Sequence, residues 1–91
     1  MGFLVSQDGD WYFVVSEIAN IQIEKGRLDL LENGATKCIN IWNVIIGCKD
    51  SKRYPVGMFY IRENATEAVR GIVKAMDSSG DFAIPKDERK D

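Results

Sequence analysis

The 91 residues include no histidine, so neither a Ser-His-Asp nor a Cys-His arrangement can form within one chain. The groups left to act as bases are mainly carboxylates and lysines. Asp8, Asp10, Glu17, Glu24, Glu32 and Asp50 all lie in or beside turn signals, where acidic side chains are solvated or bond the local backbone. An acid–base pair needs one carboxyl held in apolar surroundings, and nothing in the sequence places such surroundings around any of them. Asp8-Gly9-Asp10 matches the start of a calcium loop, but the remaining ligand positions of the twelve-residue pattern are missing. A hairpin turn explains those residues better.

Metal and redox chemistry are equally short of ligands. Cys38 and Cys48 are the only cysteines, and with no histidine they do not make up a four-ligand zinc set. If they lie on one straight strand, ten steps of about 3.3 Å separate them by roughly 30 Å. A disulfide needs Cα atoms within about 7 Å, so both thiols are expected to be free, and buried or half-buried as free cysteines generally are. Glycines at 26, 34, 47, 57, 71 and 80 are scattered and build no phosphate-cradling loop. The expectation is a protein that is not an enzyme and carries no cofactor or metal.

Binding chemistry has more to work with. Lys49, Lys52, Arg53 and Tyr54 form one basic loop with an aromatic neighbour, a composition that can hold phosphates and stack a base in a single strand. Asp50 interrupts it, and the formal net charge of −2 supplies no long-range attraction to nucleic acid or an anionic membrane. Trp11-Tyr12-Phe13 and Tyr54…Met58…Tyr60 carry more weight. Alternation on a strand puts Trp11 and Phe13 on one face with Tyr12 on the other, and gives Tyr54, Met58 and Tyr60 a shared face opposite Phe59 and Ile61. Trp, Tyr and Met are the types that anchor protein interfaces. Trp11, Tyr12, Trp42, Tyr54, Met58 and Tyr60 are therefore the candidate contact residues, unless a curled sheet buries them in its own core.

The elements that must position these residues follow from a change of period near Ile61. Before it, apolar residues alternate with a period of two; after it, Asn64 to Asp77 follows a helical period. Phe3–Ser6 and Trp11–Val15 read as strands joined by an Asp-Gly turn. Val15, Ile18 and Ile21 are spaced by three, which a single helical turn or a bulge accommodates. Glu24-Lys25-Gly26-Arg27 reads as a turn, and Glu32-Asn33-Gly34-Ala35 as a hairpin, because Asn-Gly tolerates two successive positive φ angles. Lys37–Cys48 is the longest strand candidate, and apolar residues on both faces make it either central or covered on its second face by the helix or a partner. Lys49–Arg53 is a loop and Tyr54–Ile61 a further strand, with Pro55 at its start.

Asn64 is the expected helix N-cap, with Glu67 three residues on; this also accounts for the glycosylation-like Asn64-Ala65-Thr66. Ala65, Ala68, Val69, Ile72, Val73 and Met76 form the apolar stripe, and Gly80 is placed for a left-handed C-cap. Phe82–Ile84 is a last short strand, and Lys86–Asp91 a charged, disordered tail. The fold class is α+β: one strongly twisted antiparallel sheet of five to seven strands with a C-terminal amphipathic helix packed on it. Residues 1–85 make one domain. Apolar runs such as Trp42–Gly47 and Val56–Ile61 fall far short of the ~20 residues a bilayer-spanning helix needs. No basic stretch precedes an apolar one at the start, so a cytoplasmic protein is expected.

Asp8-Gly9-Asp10-Trp11, the Val15…Ile18…Ile21…Ile23 spacing, and Tyr54-Pro55-Val56-Gly57 leading into Asn64–Asp77 together carry a resemblance. The pattern is similar to small proteins of bacteriophages and mobile elements of Gram-positive bacteria, often built as a β-meander and one C-terminal helix, some of which look like a reduced pleckstrin-homology-like fold. That resemblance implies a non-enzymatic binder, and some such proteins inhibit host defence machinery; it is an analogy of fold and transfers no functional residue. The leading expectation is a protein-binding module of this accessory or inhibitor type. An oligomeric small-ligand binder, and a single-strand nucleic-acid binder using Lys49, Lys52, Arg53 and Tyr54, are the alternatives.

Overall fold

A computed structural model describes residues 2–87. Its elements run β1 (Phe3–Val5), β2 (Tyr12–Val14), a 3-10 turn (Val15–Glu17), β3 (Ile18–Glu32), β4 (Ala35–Cys48), β5 (Arg53–Phe59), α1 (Arg62–Ser78) and β6 (Phe82–Ala83). The α+β class holds, but the strands form two three-stranded sheets, ordered β2-β1-β6 and β3-β4-β5. The single antiparallel sheet of five to seven strands is therefore corrected. β1 also pairs in parallel with β6, a connection made only because α1 returns the chain to the start of the sheet.

The β3–β4 hairpin dominates. Asn33 (φ 50°) and Gly34 (φ 78°) adopt the two positive φ values of a type I′ turn, and pairing runs unbroken from Glu32↔Ala35 to Asn20↔Gly47. The turn expected at Glu24–Arg27 is absent: β3 passes straight through it. Once the Asn33-Gly34 turn fixes the register, Gly26 falls opposite Ile41, and a Cβ there would lie 3.3 Å from Ile41 Cγ1. Glycine here marks a close cross-strand fit.

At the other end of β3 the three-residue spacing is met twice over. The 3-10 turn brings Val15 inward, and a register shift between Ile18 and Asn20 restores alternation. Val15, Ile18, Val44, Ile46, Val56, Phe59, Leu4 and Ile84 then pack against Ala65, Ala68, Ile72 and Ala75 of α1. Val73, placed on the apolar stripe by its spacing, is exposed, while Ala75 is buried. β4 is central as expected, between β3 and β5, over Trp42–Gly47. Its outer half has only β3 as a neighbour, so the hairpin projects from the body and the molecule reaches 48 × 24 × 21 Å.

Both ends of α1 differ from expectation. The N-cap is Ile61, without a side-chain cap bond. Instead Asp87 supplies the carboxylate: its Oδ2 accepts the N–H groups of Tyr60 (2.8 Å) and Ile61 (3.2 Å), and its Oδ1 accepts Asn64 Nδ2 (2.8 Å). A negative group at this end also suits the helix dipole. Asp87, assigned to the charged tail by composition, is thus anchored; residues 88–91 of that tail lie outside the described residues. At the C-terminus Ser79 rather than Gly80 takes the left-handed conformation (φ 55°).

Gly71 faces Phe82: a Cβ built on it would lie 2.2 Å from the ring. An exposed helical Gly→Ala change normally stabilises by about 1 kcal/mol. Here the added methyl displaces the ring, and Gly71→Ala is expected to cost roughly 1–2 kcal/mol in urea denaturation. In a Phe82→Ala background the same change is expected to stabilise.

Candidate functional site

The β1–β2 hairpin delivers its aromatic residues through one small polar network. The Ser6 hydroxyl donates to Asp8 Oδ1 and accepts the Trp11 N–H (3.1 Å), while Asp8 Oδ1 also accepts the Asp10 N–H (3.0 Å). Ser6 N–H donates to the Trp11 carbonyl (2.9 Å) and Gly9 N–H to the Ser6 carbonyl (2.9 Å). Ser6 is buried, so its hydroxyl is the pivot on which the turn and Trp11 are set. The Ser6 bond, followed by that from Asp10 N–H, holds the Asp8 carboxyl below its ordinary value, against a smaller opposing effect of desolvation.

Beyond this pivot the chain presents an aromatic row. Trp11 and Phe13 stack at 6.4 Å between ring centroids, and Phe13 meets Tyr54 of β5 at 5.2 Å with the rings tilted by 50°. Phe13 and Tyr54 pack against the core, whereas Trp11 is 58% exposed and Tyr12 68% exposed. A groove opens beside them, lined by Trp11 to Val14, Glu17, Cys48, Asp50 and Tyr54. All three residues of β2 and the preceding Trp11 line it, so both faces of β2 border the groove and it lies along the strand's edge.

That edge is open. β2 pairs with β1 alone, and Gly2 and Trp11 accept from Val15 and Ser6 respectively. The alternation of an antiparallel ladder then directs the N–H and C=O of Phe13 toward β1 and those of Tyr12 and Val14 away from it. The opposite wall is brought up by Lys49 N–H, which donates to the Glu17 carbonyl (2.9 Å) and ties the β4–β5 turn to the end of the 3-10 turn. Glu17 and Asp50 thereby come to one groove. Neither has an ion-pair partner among the described residues, and the groove lining includes no Lys or Arg. Desolvation, and then Asp50 and Glu17, push the Cys48 thiol up. Both cysteines are free and Cys48 is half-buried, but Cys38, expected to be at least half-buried, is exposed because its half of β4 has only β3 beside it.

Of the six expected contact residues, the structure brings together Trp11, Tyr12 and Tyr54. Met58 and Tyr60 lie elsewhere, for a definite reason. A register shift between Val44 and Ile45 leaves Val56 as an extra residue, so Tyr54 sits opposite Ile46 on the core side while Met58 sits opposite Asn43 on the other. The shared face read from simple alternation is therefore corrected. Met58 is held by its backbone: its N–H donates to Gln7 Oε1, and its carbonyl accepts Gln7 Nε2, both at 2.9 Å. Trp42 packs partly into the core and borders a separate groove with Ile23, Lys25, Arg62 and Thr66.

The basic loop is also divided. Arg53 donates to Gln22 Oε1 (2.6 Å) and Glu24 Oε1 (3.0 Å) across the sheet. Lys49 and Lys52 are exposed, and Tyr54 turns to the side that holds Asp50 and Glu17. A phosphate approaching Tyr54 would meet two carboxylates.

Comparison with protein families, with curated proteins and with solved structures returned no match. The site is therefore read from its own geometry. No cluster of three or more His, Cys, Asp or Glu able to hold a metal occurs among the described residues, and none of their helices is long and apolar enough to cross a membrane.

Sequence reasoning missed Glu17, Cys48 and Asp50 as parts of one site. No spacing links them; the link is the single backbone bond from Lys49 to Glu17. Phe13 was left out of the candidate contact residues, although alternation on the strand had put it on the Trp11 face.

The pivot has a pH signature. A lowered native pKa stabilises the fold above the ordinary carboxylate pKa, and that contribution is lost as pH falls through the lowered native value. Carboxyl-carbon NMR of Asp8 is expected to give a midpoint below the ordinary value. In Ser6→Ala the midpoint is expected to move up, with a loss of about 0.5–1.5 kcal/mol from the lost bond to the Trp11 N–H.

Proposed function

We propose that the protein is a non-catalytic binding module that acts through protein contacts, with the edge of β2 as its contact surface. The observation that carries this reading is the pairing of two large exposed aromatic residues, Trp11 and Tyr12, with unpaired backbone groups on the same edge. Open edges invite another strand, and soluble proteins ordinarily blunt them with charge, proline or a covering segment. Here the edge carries Trp, Tyr, Phe and Val. Main-chain pairing with alternate side chains in pockets is an established mode of segment recognition. The accessory or host-inhibitor role implied by the resemblance to small phage proteins is a setting in which such a module would work, and a single folded domain of this size is sufficient for it.

The reading predicts a separation of binding from stability. Trp11→Ser/Tyr12→Ser alters exposed side chains, so unfolding free energy is expected to change by less than about 1 kcal/mol. Affinity capture from lysate of expressing cells is expected to enrich a stoichiometric partner with the wild-type protein and lose it with the double variant. Equal capture by both would place these residues outside the contact surface.

A further inference from the structure

We propose that the β2 groove receives an arginine side chain carried by an extended segment of the partner protein. The inference rests on the contact reading above and adds the chemistry of the ligand. Three features converge on it. First, the groove runs along the edge where Tyr12 and Val14 offer N–H and C=O outward, so a strand laid there satisfies both its own backbone and theirs. Second, Trp11, Phe13 and Tyr54 supply aromatic surface at 6.4 Å and 5.2 Å centroid spacings, which attracts a cation over the ring face. Third, Glu17 and Asp50 border the same groove without ion-pair partners among the described residues and with no Lys or Arg in its lining.

Charge selects the ligand. Two carboxylates without ion-pair partners among the described residues disfavour phosphates and acidic segments at the groove and favour a cation. Planarity then selects arginine over lysine: a guanidinium stacks on aromatic faces and keeps its in-plane N–H groups free to fork toward carboxylates. A lysine ammonium is a compact, strongly hydrated charge that gains less from the aromatic row. Cys48 also lines the groove; burial first, and then Asp50 and Glu17, push its thiol up, and the two carboxylates that add to that effect also favour a cation.

The test uses the whole protein, labelled with 15N, and the peptide acetyl-Thr-Val-Arg-Val-Thr-amide. Its citrulline analogue, which keeps the shape and loses the charge, is the comparison. The arginine peptide is expected to shift the Tyr12 and Val14 amides and the Trp11 indole, and the citrulline peptide to bind about tenfold more weakly. Glu17→Gln/Asp50→Asn, which preserves the Asp50 acceptor for the Lys52 N–H, is expected to weaken the arginine peptide by a similar factor without lowering Tm.

Equal binding of the two peptides, or undiminished binding by the double variant, overturns the arginine site while leaving the edge as a contact surface. Shifts at Tyr12 and Val14 with neither peptide overturn both the arginine site and the edge. Free arginine amide binding as tightly as the peptide overturns the segment and makes the groove a small-cation site.

Discussion

Everything in this fold depends on the register of the β3–β4 hairpin. Two positive φ angles at Asn33 and Gly34 set it, and it is carried along the ladder to Gly47 and, past one irregularity, to Cys48. A slip of one residue would reverse every side chain, taking Ile21, Val44 and Ile46 away from the core and turning Gln22, Asn43 and Ile45 inward. Because Val44 and Ile46 are fully buried against the helix side, such a slip has no alternative core to fall into. The same register puts Gly26 against Ile41 and forces the irregularity near Ile18 that turns the chain back toward the short sheet.

The body closes on that hairpin by polar joints between distant segments. Gln7 pairs its side-chain amide with the Met58 backbone and reaches the Pro85 carbonyl, and Asp87 holds the start of the helix. Lys49 N–H ties the β4–β5 turn to Glu17. These joints make the aromatic groove a product of tertiary structure: Tyr54 and Asp50 come from one side of it, Trp11 to Glu17 from the other. The projecting half of the hairpin contributes little to the core. By register, Leu28 and Ile39 lie on one face of it with Leu30, Ile41 and Gly26, and Arg27, Asp29, Cys38 and Asn40 on the other.

Much of the fold was legible in the chain because local chemistry and tertiary structure agree there. Asn33-Gly34, the central character of Trp42–Gly47, the helix near 64–77 and the Val15…Ile18…Ile21 spacing all follow from backbone preference and hydrophobic period. What was not legible depends on long-range bonds. Glu24–Arg27 has turn composition, yet a register fixed seven residues away overrides it. Asn64 has good cap chemistry, but Asp87 reaches the helix start from 26 and 27 positions along the chain. The extra residue at Val56 reverses the faces of Tyr54 and Met58 without any signal beyond Pro55 and Gly57 nearby. For the site, the aromatic half could be read from alternation, whereas its acidic half could not, because Glu17 and Asp50 look like ordinary turn carboxylates until the Lys49 bond joins their loops.

The proposed contact surface needs a rigid frame behind a strand edge that is free in the isolated protein. Residue-resolved amide hydrogen exchange by NMR tests it most directly. Protection should alternate along β2, with Phe13 and Val15 slow because they bond toward β1, and Tyr12 and Val14 fast because they point outward. Tyr12 and Val14 protected as strongly as Phe13 and Val15, in the free protein at low concentration, would mean that the edge is already covered and is not free to take a partner strand.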